Sequence, residues 1–388
     1  MGKVSMAARQ ELIQRDIVRY RKAGKKEKGQ ILDNICASTG LSRDRAKRLL
    51  GGQSPKTPPK RRPGRGRKYD AAFAVVLEKI WVFMDFACGR RMVGGMEDMV
   101  HALTSCGELE ICDDIASKLR TVSASTVDRL LSNVRKRLTL KGKSTTKPGT
   151  LLKRSILIRL GTEWDDAVPG FVEIDLVAHC GEAAVREYVN TLAVTDVSSG
   201  WTETQAVPTK AQRYVFQALQ DIEARQPFPY KGIDSDNGSE FINDQLFRWC
   251  KERGICFTRS RPNRKNDNCH VEQKNWHLVR RNIGYDRYEG QQAVDAMNEY
   301  YALLRLHSNF FLPHTKLIGK MRVDSRIRKR YDTPKTPYRR LMESNDIPQE
   351  TKAALQEIFT SLNPAALKRD MVKAMSRLEA LRTVSHRK

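Results

Sequence analysis

Residues 170–181 read GFVEIDLVAHCG. Apolar and β-branched side chains alternate through the run, so it is predicted to be a strand, with residues 171, 173 and 175 pointing to one side. Asp175 sits inside it, between Ile174 and Leu176. A carboxylate there is costly unless it is hydrogen-bonded, paired or metal-bound. The run also marks a change of period, because the preceding part of the chain reads as helices. Beyond it, YVNTLAVTDVSSGWTETQAVPT (188–209) gives two more strands around a Ser198-Ser199-Gly200 turn. A helix (AQRYVFQALQDIEAR), a short strand (GIDS), a helix ending at Gly254 (NDQLFRWCKERG) and a strand (ICFTRS) follow. Last comes a long helix from about Cys269 into the 280s. Three strands followed by alternating helix and strand indicate a mixed α/β sheet with crossovers, five strands in all.

DSDNGSEF, residues 234–241, follows the short strand directly. Asn237-Gly238 is turn chemistry, so a surface turn explains the stretch on its own. Asp236 stands where the strand stops. Glu272 lies in the first turns of the long helix, where the helix dipole favours an anion. Singly, each of Asp175, Asp236 and Glu272 reads equally well as a cap or a surface charge. Together they form an ordered set: Asp in the first strand, Asp after the fourth, then Glu on a helix 36 positions later.

That order, with FVEIDLVAH, VTDVSSGW, DSDNGSEF and NDNCHVEQKNW around it, resembles the DDE family of integrases and transposases with an RNase H-like core. The resemblance covers about 165–310 and is greatest to bacterial insertion-sequence transposases with an integrase catalytic core. It implies that Asp175, Asp236 and Glu272 are catalytic and bind two Mg²⁺ ions, with Mn²⁺ as a substitute. It implies a polynucleotidyl transferase. Water would cut a transposon end to free a 3′-OH, and that hydroxyl would attack target DNA without ATP. Phe241 is then expected to anchor the following helix, Asp234 to be an outward neighbour or a support for the ligands, and Glu173 and Glu240 to be solvent or structural charges. Asp234 and Asp236 compete for the ligand role; alignment on the Asp-Asn-Gly triplet and the spacing both favour Asp236. Two rivals remain: a metal-dependent nuclease of the same fold that cuts without joining, and a transposase-derived DNA-binding regulator with an inactive core.

The charge pattern agrees with a nucleic-acid partner. The chain has 388 residues and a net charge of +25. Residues 1–70 carry +14 and residues 305–388 carry +11, so the centre is neutral. Such ends suit a polyanion. The sequence divides into a helix-turn-helix domain at 1–53, a basic Pro/Gly linker at 54–69, a second helical DNA-binding domain at 70–140, a linker at 141–164, the catalytic core at 165–310 and a basic C-terminal DNA-binding or oligomerisation segment at 311–388.

In the first domain an apolar-periodic helix (Ile31, Leu32, Ile35, Cys36) precedes a Ser38-Thr39-Gly40 turn and a second helix from Ser42. Arg43, Arg45, Lys47 and Arg48 on that helix suit phosphates and base edges. In the linker, Arg61, Arg62, Arg65 and Arg67 lie in a run that loosely resembles the AT-hook pattern for a narrow minor groove. STVDRLLSNVRKRL reads as a recognition helix of a second helix-turn-helix over about 110–138. Around the catalytic glutamate, Arg259, Arg261, Arg264 and Lys265 are expected in a loop, and Lys274, Arg280 and Arg281 on an adjoining face of its helix, all towards DNA phosphates. Many integrases carry lysines four and seven residues after the glutamate; here Trp276 and Val279 stand there. The His/Cys zinc module that begins retroviral integrases is absent, so end recognition falls to the helical units.

Eight cysteines form no C-x-x-C pair, and no apolar stretch approaches about 18 residues. Reduced thiols, no membrane and a cytoplasmic, nucleoid-associated bacterial protein are expected. Cys250, Cys256, Cys269 and His270 have zinc-ligand residue types without a zinc-ligand spacing, and packed thiols are the better reading. The partners expected are double-stranded DNA ends and target, and further copies of the chain; whether an accessory ATPase takes part is not legible.

Overall fold

A computed structural model of the chain describes residues 6–52, 68–136, 157–158, 168–182, 184–236, 238, 240–241, 243–259, 269–323 and 326–383. It divides into two compact units, Met1–Lys68 and Tyr69–Lys388. Among the described residues no helix is long and apolar enough to cross a membrane.

The first unit holds three helices: α1 (Met6–Lys22), α2 (Lys25–Thr39) and α3 (Arg43–Leu50). Tyr20, Ile31, Leu32, Ile35, Ala46 and Leu50 make its small core. Gly40 ends α2 in the left-handed region at φ 70°, where an L side chain is strained, and three residues later α3 begins.

The second unit begins with α4 (Ala71–Phe83), α5 (Gly89–Ser105), α6 (Asp113–Thr121), α7 (Ala124–Leu130) and α8 (Ser132–Lys136). The single recognition helix expected over STVDRLLSNVRKRL is broken at Leu131 into α7 and α8. Leu131 is buried, and Asp128 accepts the Gly89 N–H at 2.7 Å while Arg135 pairs with it at 2.5 Å. Packing on α5 therefore decides the path.

The sheet follows: β1 (Leu157–Ile158), β2 (Phe171–Ala178), β3 (Asn190–Asp196), β4 (Thr202–Val207), then α9 (Gln212–Arg225), β5 (Gly232–Ser235), α10 (Asp244–Glu252) and β6 (Cys256–Arg259). Strand order is β1-β6-β5-β2-β3-β4, with β2, β5 and β6 parallel and β3 and β4 antiparallel. The five strands expected are thus the RNase H-like core. The segment read as a linker adds a sixth, two-residue strand beside β6. The β3–β4 turn closes on buried Asp196, which accepts from Gly170 N–H (2.8 Å), Ser199 N–H (2.6 Å) and the Ser199 hydroxyl (2.5 Å). Gly200 in this turn has φ 71° and lies so near His314 that an added Cβ would sit 2.2 Å from the ring.

The long helix runs as α11 (Cys269–Lys274), a π-helical segment (Asn275–Arg280) and α12 (Arg281–Ile283). Then come α13 (Gly290–Phe311), a hairpin of β7 (Leu317–Val323) and β8 (Arg326–Tyr331), α14 (Pro337–Glu343), α15 (Gln349–Ser361) and α16 (Pro364–Ala380). One sheet face carries Val172, Ile174 and Leu192 against α9; the other carries Val177 and Ala206 against the π segment, α13 and α16. Phe73, Leu77 and Leu103 join the same core as Ile233, Phe310, Tyr338 and Phe359. Neither the 70–136 helices nor the C-terminal helices are set apart from the sheet: both are walls of one core.

Candidate active site

β2 and β5 are parallel neighbours, with Glu173 level with Asp234 and Ile174 with Ser235. Continuing the register by one residue puts Asp236, just past the end of β5, level with Asp175. Adjacent strands lie about 4.8 Å apart, so two carboxylates from distant sequence share one edge of the sheet. Asp236 Oδ1 accepts the Gly238 N–H at 2.8 Å, an Asx turn that fixes its direction. Phe241 is fully buried in the core, as expected.

Asp234 is not an outward neighbour: it is fully buried, level with Glu173, and accepts the Thr258 hydroxyl of β6 at 2.6 Å. Strand alternation explains this, since residues two apart share a face but only Asp236 lies beyond the strand's end.

The helix bearing Glu272 is held over this edge by three hydrogen bonds to β2. Buried Glu173 accepts the backbone N–H of His270 (2.9 Å) and Val271 (3.1 Å), taking up donors at the N-terminus of α11. Asn275 Nδ2 donates to Asp175 Oδ2 at 2.6 Å. Glu173 and Asp175 are two apart on one strand, and His270 to Asn275 spans little more than one helical turn, so strand and helix meet along a short seam. Glu173 is therefore structural, one of the two roles expected for it. Glu272 itself is exposed.

Like charges accumulate here. Burial, then the negative charge of Asp236, and more weakly Glu272 and Glu240, push the Asp175 carboxyl up to about 8, against the pull of the Leu176 N–H. Burial and Glu240 also raise Asp236, against the Gly238 N–H.

The residues suit a hard divalent cation in chemistry. Carboxylates from three segments lie within electrostatic reach of one another, and the buried Oδ1 of Asn275, whose amide donates to Asp175, has no hydrogen-bond partner. They are not closed around one point: among the described residues no three His, Cys, Asp or Glu side chains are grouped as a metal site. Of the cysteines weighed for zinc, Cys250 is a buried free thiol and Cys256 an exposed one.

The basic residues expected at the site fall into several groups. Arg43, Arg45, Lys47 and Arg48 are exposed on α3, with Arg43 paired to Asp33. Arg61, Arg62, Arg65, Arg67, Arg261, Arg264 and Lys265 lie outside the described residues. Arg259 is not in the loop; it ends β6 and is buried. Lys274, Arg280 and Arg281 do not form one open face. Arg281 pairs with Asp85 at 3.3 Å, and Arg280 lies over the Tyr285 ring at 4.8 Å. Burial, then the positive charges of Arg91 and Arg340, pull the Lys274 ammonium down to about 7. The physical reason is the π segment, which adds a residue per turn after Lys274 and spoils any reading at period 3.6. It leaves Trp276 60% exposed and Val279 fully buried.

Sequence reasoning missed Asn275 and the cationic neighbours Arg91 and Arg340. Asn275 carried a signal, one helical turn after Glu272. Arg91 and Arg340 carried none, because only folding brings 91, 274 and 340 together.

Residues 165–265 match the family model described as Integrase core domain. The match takes in Asp175 and Asp236 and stops short of Glu272. The chain is 37% identical over 344 residues to Uncharacterized protein y4rM of Sinorhizobium fredii (strain NBRC 101917 / NGR234), covering 87% of this chain and 96% of the relative. Similar solved structures include the simian T-cell lymphotropic virus intasome in complex with PP2A regulatory subunit B56 gamma, at 16% identity and TM-score 0.27, covering 47% of this chain and 58% of that one. Another is the HTLV-2 integrase catalytic core domain in complex with magnesium (dimeric form), at 12% identity and TM-score 0.30, covering 39% of this chain and 93% of that one. Superpositions of that quality give no residue correspondence. The chain belongs to the same family as the Sinorhizobium protein and carries an integrase core domain over residues 165–265.

Proposed function

We propose that the protein is a DDE transposase that cuts at transposon ends and transfers the freed 3′-OH strand into target DNA. The observation that carries the reading is the meeting of Asp175 and Asp236 at the edge of two parallel strands, with the Glu272 helix bound across them through Glu173 and Asn275. Asp175, Asp236 and Glu272 would hold two Mg²⁺ ions, or Mn²⁺ in their place. When bound, such ions supply Lewis acidity to the attacking and leaving oxygens of an in-line displacement.

The chain's own residues do the rest. Glu173 holds the start of α11, and the Asx turn at Gly238 aims Asp236. Asn275 orients Asp175 through its amide. In cleavage, water replaces a 3′ oxygen on phosphorus. In strand transfer, the freed 3′-OH forms a new phosphodiester as a target 3′ oxygen leaves, so the bond count is unchanged and no ATP is needed. Double-stranded DNA and further copies of the chain are the partners of this reaction.

The test is a strand-transfer assay with element-end DNA, a target plasmid and Mg²⁺, using the wild type and Asp236→Asn. Joined product from the wild type alone is expected. Nicking without joining would identify a nuclease instead. Binding with neither activity on verified ends would identify a DNA-binding regulator, and equal activity in the variant would remove Asp236 from the site.

A further inference from the structure

We infer that Asp85, in the turn between α4 and α5, is a positioning residue for the reaction: through Arg281 it fixes the far end of the helix that carries Glu272. The inference rests on the catalytic reading above. The turn reads FMDFACG, residues 83–89. Two consecutive residues in it, Asp85 and Phe86, have φ of 52° and 57°. The Phe86 N–H returns to the Trp81 carbonyl at 2.9 Å and closes the end of α4 around Asp85. A helix end of this form ordinarily takes Gly or Asn in the left-handed position, and a bulky residue there is strained. Such backbone persists only where its surroundings over-determine it. Here they do. Trp81 Nε1–H and Arg135 both donate to the Ala87 carbonyl, at 2.9 and 3.0 Å. His307 Nε2 donates to the Phe83 carbonyl at 2.7 Å.

What the strained turn presents is the Asp85 carboxylate, with only 12% of the side chain exposed. Arg281, the first residue of α12, pairs with it at 3.3 Å and also donates to the Asp85 carbonyl at 3.1 Å. A planar fork held at two points is fixed in direction as well as in distance. The same guanidinium lies over the Phe86 ring at 5.9 Å. Lys368 of α16 pairs with the other carboxylate oxygen at 3.2 Å. Against burial, Lys368 and Arg281 hold the Asp85 carboxyl below its ordinary range, so it stays charged. Arg281 follows Glu272 by nine positions in one continuous helical run, Cys269–Ile283. Glu173 fixes the start of that run to β2. Its middle is the π segment. Return of that segment to i→i+4 bonding would turn one end against the other by about a residue, roughly 100°. A helix pinned only at its start is free to do this. Asp85 supplies the second pin, from the helices at 70–136 rather than from the sheet. A role in stability alone would make Lys368 matter as much as Arg281, since both meet one carboxylate. A role in placing Glu272 singles out Arg281.

The experiment compares full-length wild type with Asp85→Asn, Arg281→Met, the two combined, and Lys368→Met. Asparagine suits the left-handed region at least as well as aspartate, so Asp85→Asn removes the charge and spares the turn. Cleavage rates on labelled element-end duplex with Mg²⁺ give kcat and KM. Hydrogen exchange without DNA, read by mass spectrometry, follows residues 275–283. Asp85→Asn and Arg281→Met are each expected to lower kcat about 10- to 100-fold, with KM within about twofold of wild type. The combined variant is expected to fall no further than the slower single one, because both act through one pair. Lys368→Met is expected to keep the wild-type kcat. Exchange over 275–283 should quicken in Asp85→Asn and not in Lys368→Met. An equal loss in Lys368→Met, or additive losses in the combined variant, would make Asp85 a general stabiliser and overturn the inference. A raised KM with kcat kept in Arg281→Met would make Arg281 a substrate contact and overturn it too. So would unchanged exchange in Asp85→Asn. A wild type that neither cuts nor joins verified ends sinks the transposase reading alone, and the exchange comparison still decides whether Asp85 holds the helix.

Discussion

Asp175, buried and level with Asp236, with Glu272 a weaker influence, has its carboxyl pushed up to about 8, against about 3.9 for an ordinary aspartate. The folded chain therefore binds more protons at this group than the unfolded chain between those two values. Its contribution to stability is complete below about 4 and is lost as pH rises through about 8. In chelator, the melting temperature of the wild type should fall over that window more steeply than that of Asp175→Asn. Mg²⁺ at the upper end should restore the wild type and not the variant. Parallel melting curves, with and without Mg²⁺, would show that Asp175 neither holds the proton nor meets the ion. At this scale the sequence was legible where residues carry charge. Asp175 stands out as an acid inside an apolar strand, and Asp236 and Glu272 stand out by spacing. Asn275 is uncharged and gave a charge-based search nothing to find, though it touches Asp175 directly. The burial of Asp234 was not legible for a related reason: the letters do not say whether a carboxylate lies one residue inside a strand's end or one beyond it.

The seam between β2 and α11 is the element on which the site depends, and Glu173 is its fastening. Its carboxylate serves two backbone donors at once, at 2.9 and 3.1 Å, with no water to replace it at a fully buried position. Glu173→Ala should cost about 1–3 kcal/mol in urea unfolding, the penalty for buried donors left unsatisfied. Glu173→Gln keeps an acceptor oxygen and should cost less than about 1 kcal/mol. Both variants should still bind duplex, while cleavage should fall further in the alanine variant because Glu272 rides on the released helix. An alanine variant as stable as wild type would remove Glu173 from this role. Most elements were legible from period and caps. The hairpin around Gly200, the helix Asp244–Glu252 and the four-residue strand Gly232–Ser235 all fall where the pattern puts them. The break at Leu131 and the π segment at Asn275–Arg280 were not, since each is imposed by packing that no local propensity encodes.

On the scale of the molecule, charge divided the chain into ends that grip and a neutral centre, and this misplaced the walls of the core. The excess of Lys and Arg at 305–388 is real, yet apolar residues at helical spacing underlie it. Tyr338, Leu341, Ile347, Leu355, Phe359, Leu367, Met371 and Leu378 are all buried, the first six in the core shared with the sheet and the last two against α13. At about 1.5–3 kcal/mol for each large apolar side chain, these eight amount to roughly 12–24 kcal/mol. That equals or exceeds the whole net stability expected of a domain, about 5–15 kcal/mol. A chain ending at residue 336 should therefore fail to fold, with no cooperative thermal transition and no protection of β2–β5 amides from hydrogen exchange. A chain of residues 69–388 loses only a unit with its own core and should melt within a few degrees of the full-length protein. A cooperative transition in the chain ending at 336 would mean that α14–α16 are an appended arm after all. Loss of the transition in residues 69–388 would mean that the first unit supports the second.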